Sequence, residues 1–124
     1  MTLNSAKRVR FLSLALLAAA VSLAGACSSE SSTPEVDCTM TVPTYAQVSL
    51  LSSVCSTCHS SEKTGAARNG APTTINFDTF ATAKANAGKG VEEVFGGSMP
   101  PNGVAVDEAM KTAFYKWGLC NTPQ

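Results

Sequence analysis

Residues 54–60 read VCSTCHS, which places two of the chain's five cysteines and its only histidine within five consecutive positions. Random ordering of this composition would produce a Cys-x-x-Cys-His string in on the order of one shuffle in a thousand. No other feature of the 124 residues constrains the fold as strongly. Two thiols three residues apart and an imidazole next to the second, Cys55, Cys58 and His59, must be presented together to one partner.

The scaffold available for that task is small. From Cys38 onward about 85 residues remain, and a core of that size is marginal unless a covalent staple or a cofactor adds to it. Aromatic residues are few, with one Trp, two Tyr and five Phe, one of them Phe11 near the start of the chain. A large apolar cofactor would supply the missing interior.

Periodicity reads as helix. In PTYAQVSLLSSVCSTCHS, Thr44 and Gln47 form a capping-box pattern, and Tyr45, Val48, Leu51, Val54/Cys55 and Cys58 recur at three- and four-residue steps. This predicts one amphipathic helix whose last turn carries the cysteines and the histidine on a single face. SSEKTGAARNGAPTTIN reads as loop. Asp78 is the expected N-cap of a short helix over TFATAKANA that Gly88 stops, and a further short helix fits GVEEVFGG, with Val91, Val94 and Phe95 on one side. Asp107 opens a last helix in which Met110, Ala113, Phe114 and Trp117 follow helical spacing before Gly118. Strand signals are nearly absent, so the expected class is all-α with long loops.

The N-terminal stretch has another purpose. Lys7, Arg8 and Arg10 precede thirteen uncharged residues, FLSLALLAAAVSL, the pattern of a secretory signal and short for a spanning helix. LAGAC, Leu23 to Cys27, resembles the end of a bacterial lipoprotein signal, with Ala24 where that family prefers Leu. The resemblance implies removal of residues 1–26, lipidation of Cys27, and export to the periplasm with a membrane anchor. Ser28 after the cysteine favours the outer membrane in that pattern. An ordinary signal peptide cleaved after a small residue is the alternative. Residues 27–37, with SSESSTPEVD behind the cysteine, are too polar to bury a core and should form a flexible tether of about 17 Å mean span. Residues 38–124 are then the domain. With Cys27 and the central pair assigned, Cys38 and Cys120 remain, and in an oxidising compartment they read as a disulfide; two separate buried thiols are the alternative.

Beyond Cys27 six basic side chains face nine acidic ones, a net charge of −3. There is no basic stripe or aromatic platform for nucleic acid. No acid/base pair, nucleophile triad or phosphate loop appears, so no catalytic residue is assigned. Glu92 and Glu93 read as a solvated helix face.

Cys-x-x-Cys-His is the arrangement that bonds both vinyl groups of haem and places an imidazole on its iron. Here the chain resembles the small monohaem class I c-type cytochromes, and the likeness extends to FGGSMPP, residues 95–101, and to YKWG in the last helix. It implies a cytochrome c-like fold of about four short helices with long loops around one covalent haem c. Cys55 and Cys58 would be the thioether positions, with His59 and Met99 as axial ligands of the iron. Met110 belongs instead to a helical core stripe, and Met40 lies too near the tether. The implied activity is electron transfer between redox protein partners by a monomer, not enzymatic catalysis. Three alternatives stay open: a zinc site, which needs further ligands; a redox dithiol, which needs a βαβ setting; and a haem enzyme or gas sensor with an open sixth position.

Overall fold

A computed structural model describes residues 33–101 and 104–124; the proposed signal, Cys27 and the first part of the tether lie outside the described residues. Three α-helices are present among them: α1 (Ser49–Ser53), α2 (Phe80–Phe95) and α3 (Glu108–Leu119), with 3-10 turns at Tyr45–Gln47, Cys55–Thr57 and Gly65–Arg68. No described residue is in a strand, so the described part of the chain is all-α. None of the described helices is long and apolar enough to cross a membrane.

The N-terminal helix is not continuous, contrary to its periodicity. Entry is as expected, with the Thr44 N–H donating to Gln47 Oε1 at 2.9 Å. The chain then divides into a 3-10 turn, α1 and a second 3-10 turn. Its composition explains the breaks. Ser53 Oγ donates to the Ser49 carbonyl (2.6 Å), Ser56 Oγ to Leu51 (2.8 Å) and Thr57 Oγ1 to Val54 (2.5 Å), and such side-chain bonds compete with the helical ladder.

The middle of the chain is more helical than expected. Thr79, not Asp78, is the N-cap of α2, its hydroxyl accepting from the Thr82 N–H at 3.2 Å. The helix then runs for 16 residues straight through Gly88 and Gly90, replacing the two short helices of the sequence reading. A glycine costs a helix about 1 kcal/mol relative to alanine, and burial outweighs that here. Ala83, Ala87, Val91 and Val94 all turn inward along one face. Asp78 is spent elsewhere, its Oδ2 accepting from the backbone and hydroxyl of Ser61 and the hydroxyl of Ser60.

α3 begins where the sequence places it, with Asp107 Oδ1 accepting from the Met110 N–H at 2.8 Å. It crosses α2 at close range through two glycines. A Cβ at Gly90 would lie 2.9 Å from Phe114 Cζ, and one at Gly118 would lie 2.7 Å from Val91 Cγ2. α1 packs on α3 from another side, bringing Leu50 and Leu51 into the same core as Phe114 and Trp117. Trp117 is wholly buried, stacks on Phe114 at 6.3 Å and donates from Nε1 to the Pro123 carbonyl at 2.8 Å. That carbonyl also accepts from the Tyr45 N–H at 2.9 Å, so the end of the chain is bound to its first turn. Cys38 and Cys120 are joined as a disulfide with Cα atoms 5.5 Å apart, fixing the start of the domain to the end of α3.

Candidate functional site

The 3-10 turn Cys55–Thr57 leads into an α-type bond from the His59 N–H to the Cys55 carbonyl at 2.8 Å, so the motif stays wound although the helix before it has broken. Cys55, Cys58 and His59 therefore emerge from one turn and line one cavity of about 370 Å³. Met99 lines the same cavity. Four residues chosen from sequence, on two segments separated by all of α2, are thus brought together. Much of the remaining wall is apolar, from Leu50, Val54, Ile75, Phe77, Val94 and Phe114. Volume and lining are those of a pocket for a sizeable, mostly apolar ligand.

His59 is oriented from behind. Its Nδ1 lies 3.1 Å from the Ile75 carbonyl oxygen. A carbonyl can only accept, so Nδ1 carries the proton and, in the neutral ring, the lone pair is on Nε2. Tying one ring nitrogen to a backbone oxygen while the other stays free is the usual arrangement of a metal-binding imidazole. Phe77 adds a second restraint, with its N–H on the His59 carbonyl (2.9 Å) and its ring edge-on to the imidazole at 5.7 Å. Tyr45 in turn donates its hydroxyl to the Phe77 carbonyl at 3.0 Å.

Met99 is placed by Glu93. α2 ends at Phe95, and the chain turns back through Gly97 at φ +78, a left-handed conformation suited to glycine. The N–H groups of Ser98 and Met99 then both donate to the Glu93 carbonyl at 3.0 Å. The Glu93 carboxylate accepts from Ser98 Oγ and pairs with Lys89 at 2.6 Å. Those bonds hold it below the usual carboxylate range, the Lys89 bond foremost. Glu93 stays partly exposed, as expected of a solvated helix face, but it also lines the cavity with Lys89, while Glu92 is exposed. Met99 is 37 % exposed and sits at the rim. Met110 packs against the core and Met40 faces solvent, and neither lines the cavity.

Cys55 and Cys58 are free thiols and not a disulfide. Burial pushes the Cys55 thiol up to about 12, far from the depressed range of a reactive dithiol, which also wants an electropositive, accessible setting. Among the described residues no three His, Cys, Asp or Glu side chains stand close enough to form a metal-holding group by themselves.

No family model, no curated protein and no solved structure matches this chain.

Sequence reasoning missed Arg68. This residue of the presumed loop is only 3 % exposed and lines the cavity. Its guanidinium donates to the carbonyls of Ser60, Ala71, Pro72 and Ile75 and to Asn76 Oδ1. The residues from Ser60 to Asn76 are thereby folded around one buried cation. A lone Arg in GAARNGAP carries no periodic signal, because its partners are main-chain oxygens that any residue provides.

Proposed function

We propose that the chain binds one haem c in this cavity and serves as an electron carrier with a cytochrome c-like fold, in the manner of the small monohaem class I c-type cytochromes. The observation that carries the reading is the convergence of Cys55, Cys58, His59 and Met99 on one largely apolar cavity, with His59 Nε2 left as the free ring nitrogen. Cys55 and Cys58 would hold the group through thioethers, and His59 and Met99 would be its axial ligands. The donor set fits: two unpaired thiols, an imidazole with one nitrogen committed behind it, and a thioether. Bound haem supplies a one-electron couple at its iron. The chain's own residues orient the imidazole, present Met99 through the Glu93 grip, and keep water from the apolar wall.

His and Met together favour a comparatively high potential and leave no coordination position for a substrate, which supports a carrier over an enzyme. Donor and acceptor would be redox proteins meeting the open rim. The N-terminal sequence supports export, with Cys27 lipidated and the domain tethered to the bacterial outer membrane from its periplasmic side.

Expression with haem-attachment machinery tests the assignment. The denatured protein should stain for haem and gain about one haem in mass, and Cys55→Ala with Cys58→Ala should lose both. A colourless, zinc-containing product would refute it. For the anchor, Cys27→Ser should release into the aqueous phase a protein that otherwise partitions into detergent.

A further inference from the structure

Arg68 is buried without a counter-ion. Among the described residues the ion pairs join Lys89 to Glu93 and Lys111 to Glu108, and no carboxylate lies within pairing distance of the guanidinium. Burying a cation is costly, and a loop that needed only a staple would be served by neutral donors. The position of the charge shows what else it does. Arg68 Nη2 donates to the Ile75 carbonyl at 3.1 Å, and His59 Nδ1 donates to that same oxygen at 3.1 Å. One backbone acceptor is shared between a fixed positive charge and the ring proposed to bind iron.

We propose that Arg68 is a positioning residue that raises the reduction potential of the site through the Ile75 carbonyl; this rests on the haem c reading. Two effects act in the same direction. A carbonyl already accepting from a guanidinium is a poorer acceptor for the His59 N–H, so the imidazole carries less negative character and donates less to the metal. A buried, unpaired positive charge on the cavity wall also disfavours the ferric state, which carries one positive charge more at the iron than the ferrous state reached by taking one electron from a redox partner. Water cannot screen it, because Arg68 is almost wholly enclosed.

The test is potentiometry of the haem-loaded full chain with two variants. Arg68→Gln removes the charge and weakens the loop. Asn76→Asp keeps Arg68 and its fork but sets a carboxylate where the Asn76 amide oxygen now accepts from Arg68 Nη2 at 3.0 Å, cancelling the charge in place. Both should lower the midpoint potential, by a shift equal to about a tenfold change in the ferric-to-ferrous ratio, the size of one charge-assisted hydrogen bond. Arg68→Lys, which keeps charge but not the fork, should fall between wild type and Arg68→Gln. In a Met99→Ala background, where ferrous iron is five-coordinate, Arg68→Gln should also raise the iron–imidazole stretching frequency, a readout that loop stapling alone would not move. If Arg68→Gln does not fold, Asn76→Asp decides. An unchanged potential in haem-loaded Asn76→Asp overturns this proposal alone, whereas a wild type that never acquires haem overturns the underlying reading with it.

Discussion

Gly90 of α2 and Phe114 of α3 meet so closely that a Cβ at Gly90 would stand 2.9 Å from the ring's Cζ, and equally close to Phe77 Cζ. All three residues line the cavity, so the helix crossing and the site share one wall.

Gly90→Ala should therefore destabilise the protein by about 1–2 kcal/mol, because overpacking against two buried rings exceeds the roughly 1 kcal/mol gained in helix propensity. Gly88→Ala, two residues earlier, meets nothing within 4 Å and should stabilise by about 0.5–1 kcal/mol. Urea midpoints of the two variants should move in opposite directions. A common direction would contradict the packing described at Gly90.

Met99→Ala and Met110→Ala should separate ligation from packing. In the oxidised haem-loaded protein a weak sulfur-to-iron band near the red edge of the visible spectrum should vanish in Met99→Ala, the reduced form should gain carbon monoxide binding, and the potential should fall. Met110→Ala should keep the band and lose about 2 kcal/mol of stability, being partly buried against the core. A band that survives in Met99→Ala would place another methionine on the iron, and a wild type without the band would make a haem enzyme or sensor the better reading.

Acid should loosen the loop that follows the motif. The hydroxyl of Ser61, then its N–H and the Ser60 hydroxyl, hold the Asp78 carboxyl below its ordinary 3.8. A carboxyl with a depressed folded-state pKa contributes stability that is fully present above its unfolded value and is lost as pH falls through the folded one. Wild-type stability should thus decline below about pH 4. Asp78→Asn should be weaker at pH 7 and show a shallower decline, measured by urea unfolding at pH 7, 4 and 3. Parallel curves for the two proteins would remove Asp78 from the acid response.

Replacing Cys38 and Cys120 together by Ser should cost about 4.5 kcal/mol, the chain-entropy value for a loop closed across a sequence separation of 82. Haem content should be retained at low temperature, since neither cysteine lines the cavity. Loss of haem in that variant would show that the disulfide shapes the site directly.

The parts of this molecule that could be read from its sequence are those fixed by local chemistry. Asp107 caps α3 because its carboxylate reaches a nearby N–H, and Thr44 meets Gln47 for the same reason. The spacing of Cys55, Cys58 and His59 is likewise local. Errors arose where tertiary contacts decided. Gly88 reads as a stop, yet α2 continues because Val91 and Val94 have a core to enter and Gly90 has two rings to admit. The segment around Ser53 reads as one helix, yet its hydroxyls take the carbonyls. Arg68 reads as nothing at all, because its meaning resides in main-chain oxygens from Ser60 to Ile75 that only the folded loop collects.

The bond between Cys38 and Cys120 turns the domain into a closed ring of covalent links, with every residue of the site inside the ring. One protease cut in the exposed stretch at Ser61 and Glu62 would open the backbone and still leave a single molecule. Cys55, Cys58 and His59 would then belong to one fragment and Met99 to the other, held in register by the core and by one sulfur–sulfur link. Such a nicked protein would run as one band on a non-reducing gel and part into two only when a thiol was added.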